Sequence, residues 1–124
     1  MGTLLAVGLG GFLGAISRYG LSGWASRYSS FPLGTLGVNV LGCFLIGVLY
    51  TVTREKEWNS PQFQAFLGVG FLGSLTTFST FGFETLELLR GDRLLAAFGN
   101  VLGNVLLGLL AVASARILVL RFFP

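Results

Sequence analysis

Four long stretches of this chain are almost free of charge, and no soluble architecture hides that much apolar surface. The runs cover about residues 3–24, 33–53, 61–90 and 94–121. At ~1.5 Å per residue each is long enough for a helix to cross a hydrocarbon core of ~30 Å. Charged residues make up only 10% of the chain and hydrophobic residues 53%, whereas soluble domains carry roughly a quarter charged residues. The apolar faces need lipid as their solvent. The expected fold is therefore all-α and integral to a membrane, one four-helix transmembrane domain over 1–124.

Composition excludes several classes of function. The net charge is +3 but the basic residues are scattered, so no basic stripe with interleaved aromatics offers a nucleic-acid surface. Histidine is absent and Cys43 is the only cysteine, which removes zinc coordination and a disulfide framework. Cys43 reads as a small buried hydrophobe. No nucleophile and base pair is apparent, so an enzyme is not expected. The chain starts directly in an apolar stretch without a basic n-region, and no removable signal is expected.

Many of the 19 glycines lie inside the apolar runs, where small residues let helix backbones approach. Gly10/Gly14, Gly34/Val38/Gly42 and Gly99/Gly103 are spaced to share a face, and tight helix contacts are expected there. Pro32 suits the start of the second helix. Arg54, Glu55, Lys56 and Glu57 close it, with Trp58 as an interfacial anchor. Ser60-Pro61 signals the third start, with Ser60 as N-cap. The third run then changes character at Gly73-Ser74-Leu75-Thr76-Thr77-Phe78-Ser79-Thr80-Phe81-Gly82. A continuous helix is not expected through this stretch at mid-membrane depth. Arg90-Gly91-Asp92-Arg93 makes the turn into the fourth helix.

Lys and Arg give no orientation signal. Arg54, Lys56 and Arg121 fall on the side shared with the termini, against Arg27, Arg90 and Arg93 on the other. Either other features fix the orientation, or the chain inserts both ways and two opposite copies pair as an antiparallel, dual-topology homodimer.

Polar groups within the spans are costly and mark functional candidates. They are Arg18, Asn39, the Thr76-Thr77-Ser79-Thr80 cluster, Glu84, Asn100 and Asn104. Carbonyls freed by a broken helix suit a small hard cation such as Na⁺, and neighbouring hydroxyls can donate to an anion. Phe78 and Phe81 share a face if the backbone there is helical, and their positive ring edges can meet an anion. The Asn39 amide either donates to an anion or bridges helices. Arg18 either gathers anions at a vestibule or snorkels to headgroups. Glu84 would repel an anionic cargo, which favours an ion pair or proton-linked role.

Three motifs together carry a family resemblance: Gly10-Gly11-Phe12-Leu13-Gly14-Ala15-Ile16-Ser17-Arg18-Tyr19, Gly34-Thr35-Leu36-Gly37-Val38-Asn39-Val40-Leu41-Gly42, and Gly70-Phe71-Leu72-Gly73-Ser74-Leu75-Thr76-Thr77-Phe78-Ser79-Thr80-Phe81. The chain resembles the Fluc-type (CrcB) fluoride channels over essentially its whole length. The resemblance implies a dual-topology dimer with two pores, exporting fluoride passively from the cytoplasm across a microbial plasma or inner membrane. It implies a structural Na⁺ at the dimer centre, held by backbone carbonyls at Gly73 and Thr76 from both subunits. It further implies a pore lined by Asn39, Phe78 and Phe81 with hydroxyls from Ser79 and Thr80, Arg18 near the vestibule, and Glu84 on a polar track. Ser74 departs from the glycine common at that position. The rival is a small dual-topology multidrug/proton antiporter, which needs a carboxylate deep in a span; the first span has none.

Overall fold

The computed structural model describes residues 1–55 and 60–122. Lys56, Glu57 and the expected anchor Trp58 lie outside the described residues. Four helical spans are long and apolar enough to cross a membrane: Gly2–Ala25, Leu33–Arg54, Pro61–Arg90 and Leu94–Phe122. Among the described residues there is no strand. We number the helices α1 (Gly2–Ala25), α2 (Leu33–Glu55), α3 (61–75), α4 (Phe78–Arg90) and α5 (Leu94–Phe122). Together α3 and α4 form the third, broken span.

The helix starts follow local chemistry. Ser60 Oγ accepts the Phe63 N–H at 3.3 Å with Pro61 opening α3, and Pro32 immediately precedes α2, its carbonyl accepting the Leu36 N–H at 3.1 Å. At the α4–α5 turn Asp92 adopts φ 55°, a left-handed conformation that Asp tolerates better than most residues. Arg93 N then donates to Leu88 O at 2.9 Å, leaving the Arg93 side chain at the end of the bundle.

The main packing pairs are α1 with α3 and α2 with the second half of α5. Leu49, Val38, Leu72 and Leu75 form the buried core between α2 and α3. Close approach of α1 depends on glycine: a methyl on Gly10 would strike the Phe66 carbonyl, and one on Gly14 the Phe71 carbonyl. The Gly99/Gly103 pair differs from expectation. A methyl on Gly103 would meet Leu36 at 3.4 Å and one on Gly99 the Phe31 ring at 3.8 Å, both ordinary contacts. The large side chain on the facing helix already sets the separation there.

Two stretches wind as wider π-helix, Ala65–Leu72 in α3 and Gly103–Leu107 in α5. Such turns are rare and often accompany functional sites. The first leads into the break. The irregular stretch is narrower than the residues from Gly73 to Gly82 suggest: only Thr76 (ψ 155°) and Thr77 (φ −151°, ψ 110°) are extended, and the helix restarts at Phe78. Two residues suffice because Thr77 caps the new helix itself, its Oγ1 accepting the Thr80 N–H at 3.3 Å.

Candidate functional site

Breaking a helix frees backbone groups, and in hydrocarbon each must find another partner. A continuous helix would give the Thr77 N–H to the Gly73 carbonyl. Here it donates instead to Asn39 Oδ1 at 2.8 Å, and Asn39 Nδ2 returns a bond to the Thr77 carbonyl at 3.2 Å. One side chain of α2 thus pairs with both backbone groups of a single extended residue, as a neighbouring strand would. Gly42, one turn from Asn39, lets the break approach, because a methyl there would collide with the Thr76 side-chain methyl.

The amide of Asn39 is oriented by this clasp. Its oxygen faces a group that can only donate, so its nitrogen is turned to Asn104, donating to Oδ1 at 2.8 Å. Asn104 Nδ2 donates to the Asn100 side-chain oxygen at 3.1 Å and to the Asn100 carbonyl at 2.9 Å. Asn100, wholly buried, donates to Thr85 Oγ1 at 2.9 Å, and Thr85 donates to the Phe81 carbonyl at 2.7 Å. A run of donors leads from the Thr77 N–H through Asn39, Asn104, Asn100 and Thr85 to the Phe81 carbonyl, with Asn39 also returning one bond to the Thr77 carbonyl. The network ties α2 and α5 to both ends of the Thr77–Phe81 stretch.

A cavity of about 330 Å³ opens beside this network, lined by Asn39, Gly42, Cys43, Ile46, Leu72, Gly73, Thr76, Thr77, Phe78, Phe81, Asn104 and Val105. Phe78 and Phe81 are neighbours on the first turn of α4, with ring centroids 5.4 Å apart and planes tilted by 53°. Phe78 is 82% exposed at the edge of this mainly apolar cavity. Ser79 and Thr80 are exposed on the same turn and outside the cavity lining; Thr77 Oγ1 donates to Thr80 Oγ1 at 2.9 Å.

A second cavity, about 370 Å³, lies where α1 passes into α2 and α4 into α5. Ser26, Ser29, Ser30, Glu84, Glu87 and Arg93 contribute its polar lining. Glu84 Oε1 accepts the Thr35 hydroxyl at 2.8 Å, while its buried Oε2 has no protein partner. The residues expected at the site thus divide into groups. Asn39, Gly73, Thr76, Phe78 and Phe81 gather at the first cavity, and Glu84 lies at the second. Arg18 lies half-buried in α1, its carbonyl accepting the Ser22 hydroxyl at 2.6 Å, and lines neither cavity. Thr35 and Thr85 carry bonds to this site that sequence reasoning did not single out; a hydroxyl inside an apolar run is the signal that marks both.

Residues 5–116 match the family described as CrcB-like protein, Camphor Resistance (CrcB). A fluoride-specific ion channel FluC of Hahella chejuensis is 45% identical over 113 residues, covering 90% of this chain and 89% of its own length. The FluC of Nitratiruptor sp. is 44% identical over 123 residues, covering 98% of this chain and 94% of its own. A further relative, FluC 1 of Methanosarcina acetivorans, is 39% identical over 118 residues, covering 94% of this chain and 90% of its own length.

Proposed function

This chain belongs to the CrcB-like family, and on that footing we propose that it is a fluoride-selective channel through which fluoride leaves the cytoplasm passively. It is a multi-pass membrane protein and not an enzyme; its setting, on this reading, is the plasma or inner membrane. The observation that carries the reading is the break at Thr76–Thr77, which sets the Asn39 hydrogen-bond network and two phenylalanines along one cavity within a span.

Fluoride is small and holds its water strongly, so a selective path has to replace that water with short hydrogen bonds in a narrow bore. Thr35 and the polar residues about Glu84 supply the approach. Phe78 and Phe81 offer positive ring edges, and the Ser79 and Thr80 hydroxyls lie on the same turn. Both amide hydrogens of Asn39 are committed, to Thr77 and Asn104. On this reading the ion passes Asn39 by taking over the hydrogen held by Asn104, an exchange of one bond for another that leaves the Thr77 clasp in place. Arg18, on the first helix, adds positive charge toward the vestibule.

The same break suits a structural Na⁺. The carbonyl of Gly73 has lost the Thr77 N–H, and that of Thr76 has lost the Thr80 N–H, which goes to Thr77 Oγ1. Neutral oxygens of this kind match a hard monovalent cation. Among the described residues no group of three His, Cys, Asp or Glu side chains could hold a metal instead. Two carbonyls fill only part of a cation's shell, and a second copy supplies the rest. The bound ion would screen the freed carbonyl dipoles. On this reading the homodimer is antiparallel with two pores per dimer, and the exposed Phe78 meets its full environment only once that partner is present.

Fluoride and chloride efflux from liposomes under a K⁺ gradient with valinomycin tests the reading. Rapid fluoride loss with chloride retained is expected. No fluoride flux from a folded dimer would sink it and bring the multidrug antiporter forward.

A further inference from the structure

Resting on the channel reading, we propose that the cavity at the α1–α2 and α4–α5 end is an anion-loading site, with Arg93 as its cation and the Ser29 and Ser30 hydroxyls as its donors. It takes fluoride with part of its water at this end of the bundle.

Ser29 and Ser30 line the cavity, and the bonds their oxygens already accept leave their hydroxyl hydrogens uncommitted. Ser29 Oγ accepts the Phe31 N–H at 3.0 Å, which leaves its own hydrogen free to donate. Arg93 grips Ser30 at two points, Nη1 to the carbonyl at 3.0 Å and Nη2 to Oγ at 3.3 Å, so the Ser30 hydrogen is free in the same way. A guanidinium carries five N–H donors and cannot be deprotonated. Two bonds to Ser30 therefore leave Arg93 with both charge and donors to spare.

Arg93 is the one cation among the residues that line the cavity, against the carboxylates of Glu84 and Glu87. Glu87 is paired with Arg90 at 3.3 Å. Glu84 also lines the cavity, with one oxygen on Thr35 and the other without a protein partner. Left alone, that carboxylate would repel an arriving anion. Arg93 lines the same cavity and offsets it. The site is wide, about 370 Å³, and its donors are hydroxyls and one guanidinium rather than a tight cage. That composition concentrates a hydrated small anion without trapping it.

One cation several ångströms from a monovalent anion in water enriches it about threefold at low salt, and screening removes the effect as the Debye length shrinks. Fluoride currents of Arg93→Gln, Arg93→Lys and the unsubstituted protein are compared in planar bilayers at ~10 mM and ~1 M ionic strength, where that length is about 30 Å and 3 Å. Arg93→Gln is expected to carry about threefold less fluoride current at low salt and the native current at high salt. Arg93→Lys keeps the charge while losing the two-point grip, and is expected to match the native protein at both.

A native current from Arg93→Gln at low salt overturns the proposal. A deficit equal at both salts, or one shared by Arg93→Lys, also overturns it, because Arg93 would then act only as a clamp on Ser30. The channel reading is judged separately, on fluoride current in the unsubstituted protein.

Discussion

Replacing Asn39 by leucine is the sharpest test of how the broken span is held. Leucine keeps the side-chain volume, so no cavity term enters, but it removes the bonds to the Thr77 N–H, the Thr77 carbonyl and Asn104 Oδ1. Side-chain hydrogen bonds in membranes are worth ~0.6 kcal/mol on average and ~1.7 at most, so three give roughly 2–5 kcal/mol. The upper half of that range is expected here, because the Thr77 groups are buried backbone with no helical partner to fall back on. Unfolding titrations in mixed micelles, followed by circular dichroism, measure the loss. Asn104→Leu is the companion variant, since it cuts the chain beyond the clasp and is expected to cost less. The double variant should cost less than the sum of the two by at least about 0.5 kcal/mol, as two members of one network couple. Asn39→Leu within about 0.5 kcal/mol of the native protein, or strictly additive losses, would refute the clasp.

Three further outcomes follow from the same geometry. Phe81→Ile should leave a folded protein whose fluoride efflux from liposomes is abolished, because apolar bulk survives and the aromatic edge does not; native flux would remove the aromatic argument. Thr35→Val leaves both Glu84 oxygens without a protein donor and should lower stability by about 1–3 kcal/mol, read in the same micelle titration, with Thr35→Ser restoring it. Gly14→Ala pushes a methyl into the Phe71 carbonyl, a backbone atom that cannot rotate away; it should cost about 1–3 kcal/mol, whereas Gly20→Ala, with open space around it, should not.

The spans were legible in the sequence because bilayer thickness and hydropathy leave a long apolar run few other choices. The break was legible as a place, since hydroxyls at mid-depth rarely serve a plain helix, and Ser60-Pro61 marked a start that the Ser60 cap bond bears out. The extent of the break was not legible. It depends on Asn39, 38 residues away, substituting for the missing helical partners of Thr77. Pairings such as Thr35 with Glu84, 49 residues apart, and Asn39 with Asn104, 65 apart, require knowing which helices pack. The π turns were invisible for a related reason. Residues 65–72 have the composition of any apolar helix, and nothing in that composition distinguishes the wider winding.

The extent of the break and the pairing that sets it share one physical origin. A helix satisfies its own backbone and can be read locally, whereas a break in hydrocarbon hands its unpaired groups to other elements. In this chain Asn39 takes both the N–H and the carbonyl of Thr77, while Gly73 and Thr76, whose carbonyls have lost their helical donors, border the cavity. Handing Thr77 to Asn39 leaves the Gly73 and Thr76 carbonyls without helical donors at the break and the Phe78 and Phe81 rings together on the next turn. A continuous helix would consume both sets internally. On the channel reading, stability and conduction are coupled through Asn39, and a variant that mended the break by restoring a straight third helix is expected to gain backbone hydrogen bonds and lose fluoride flux.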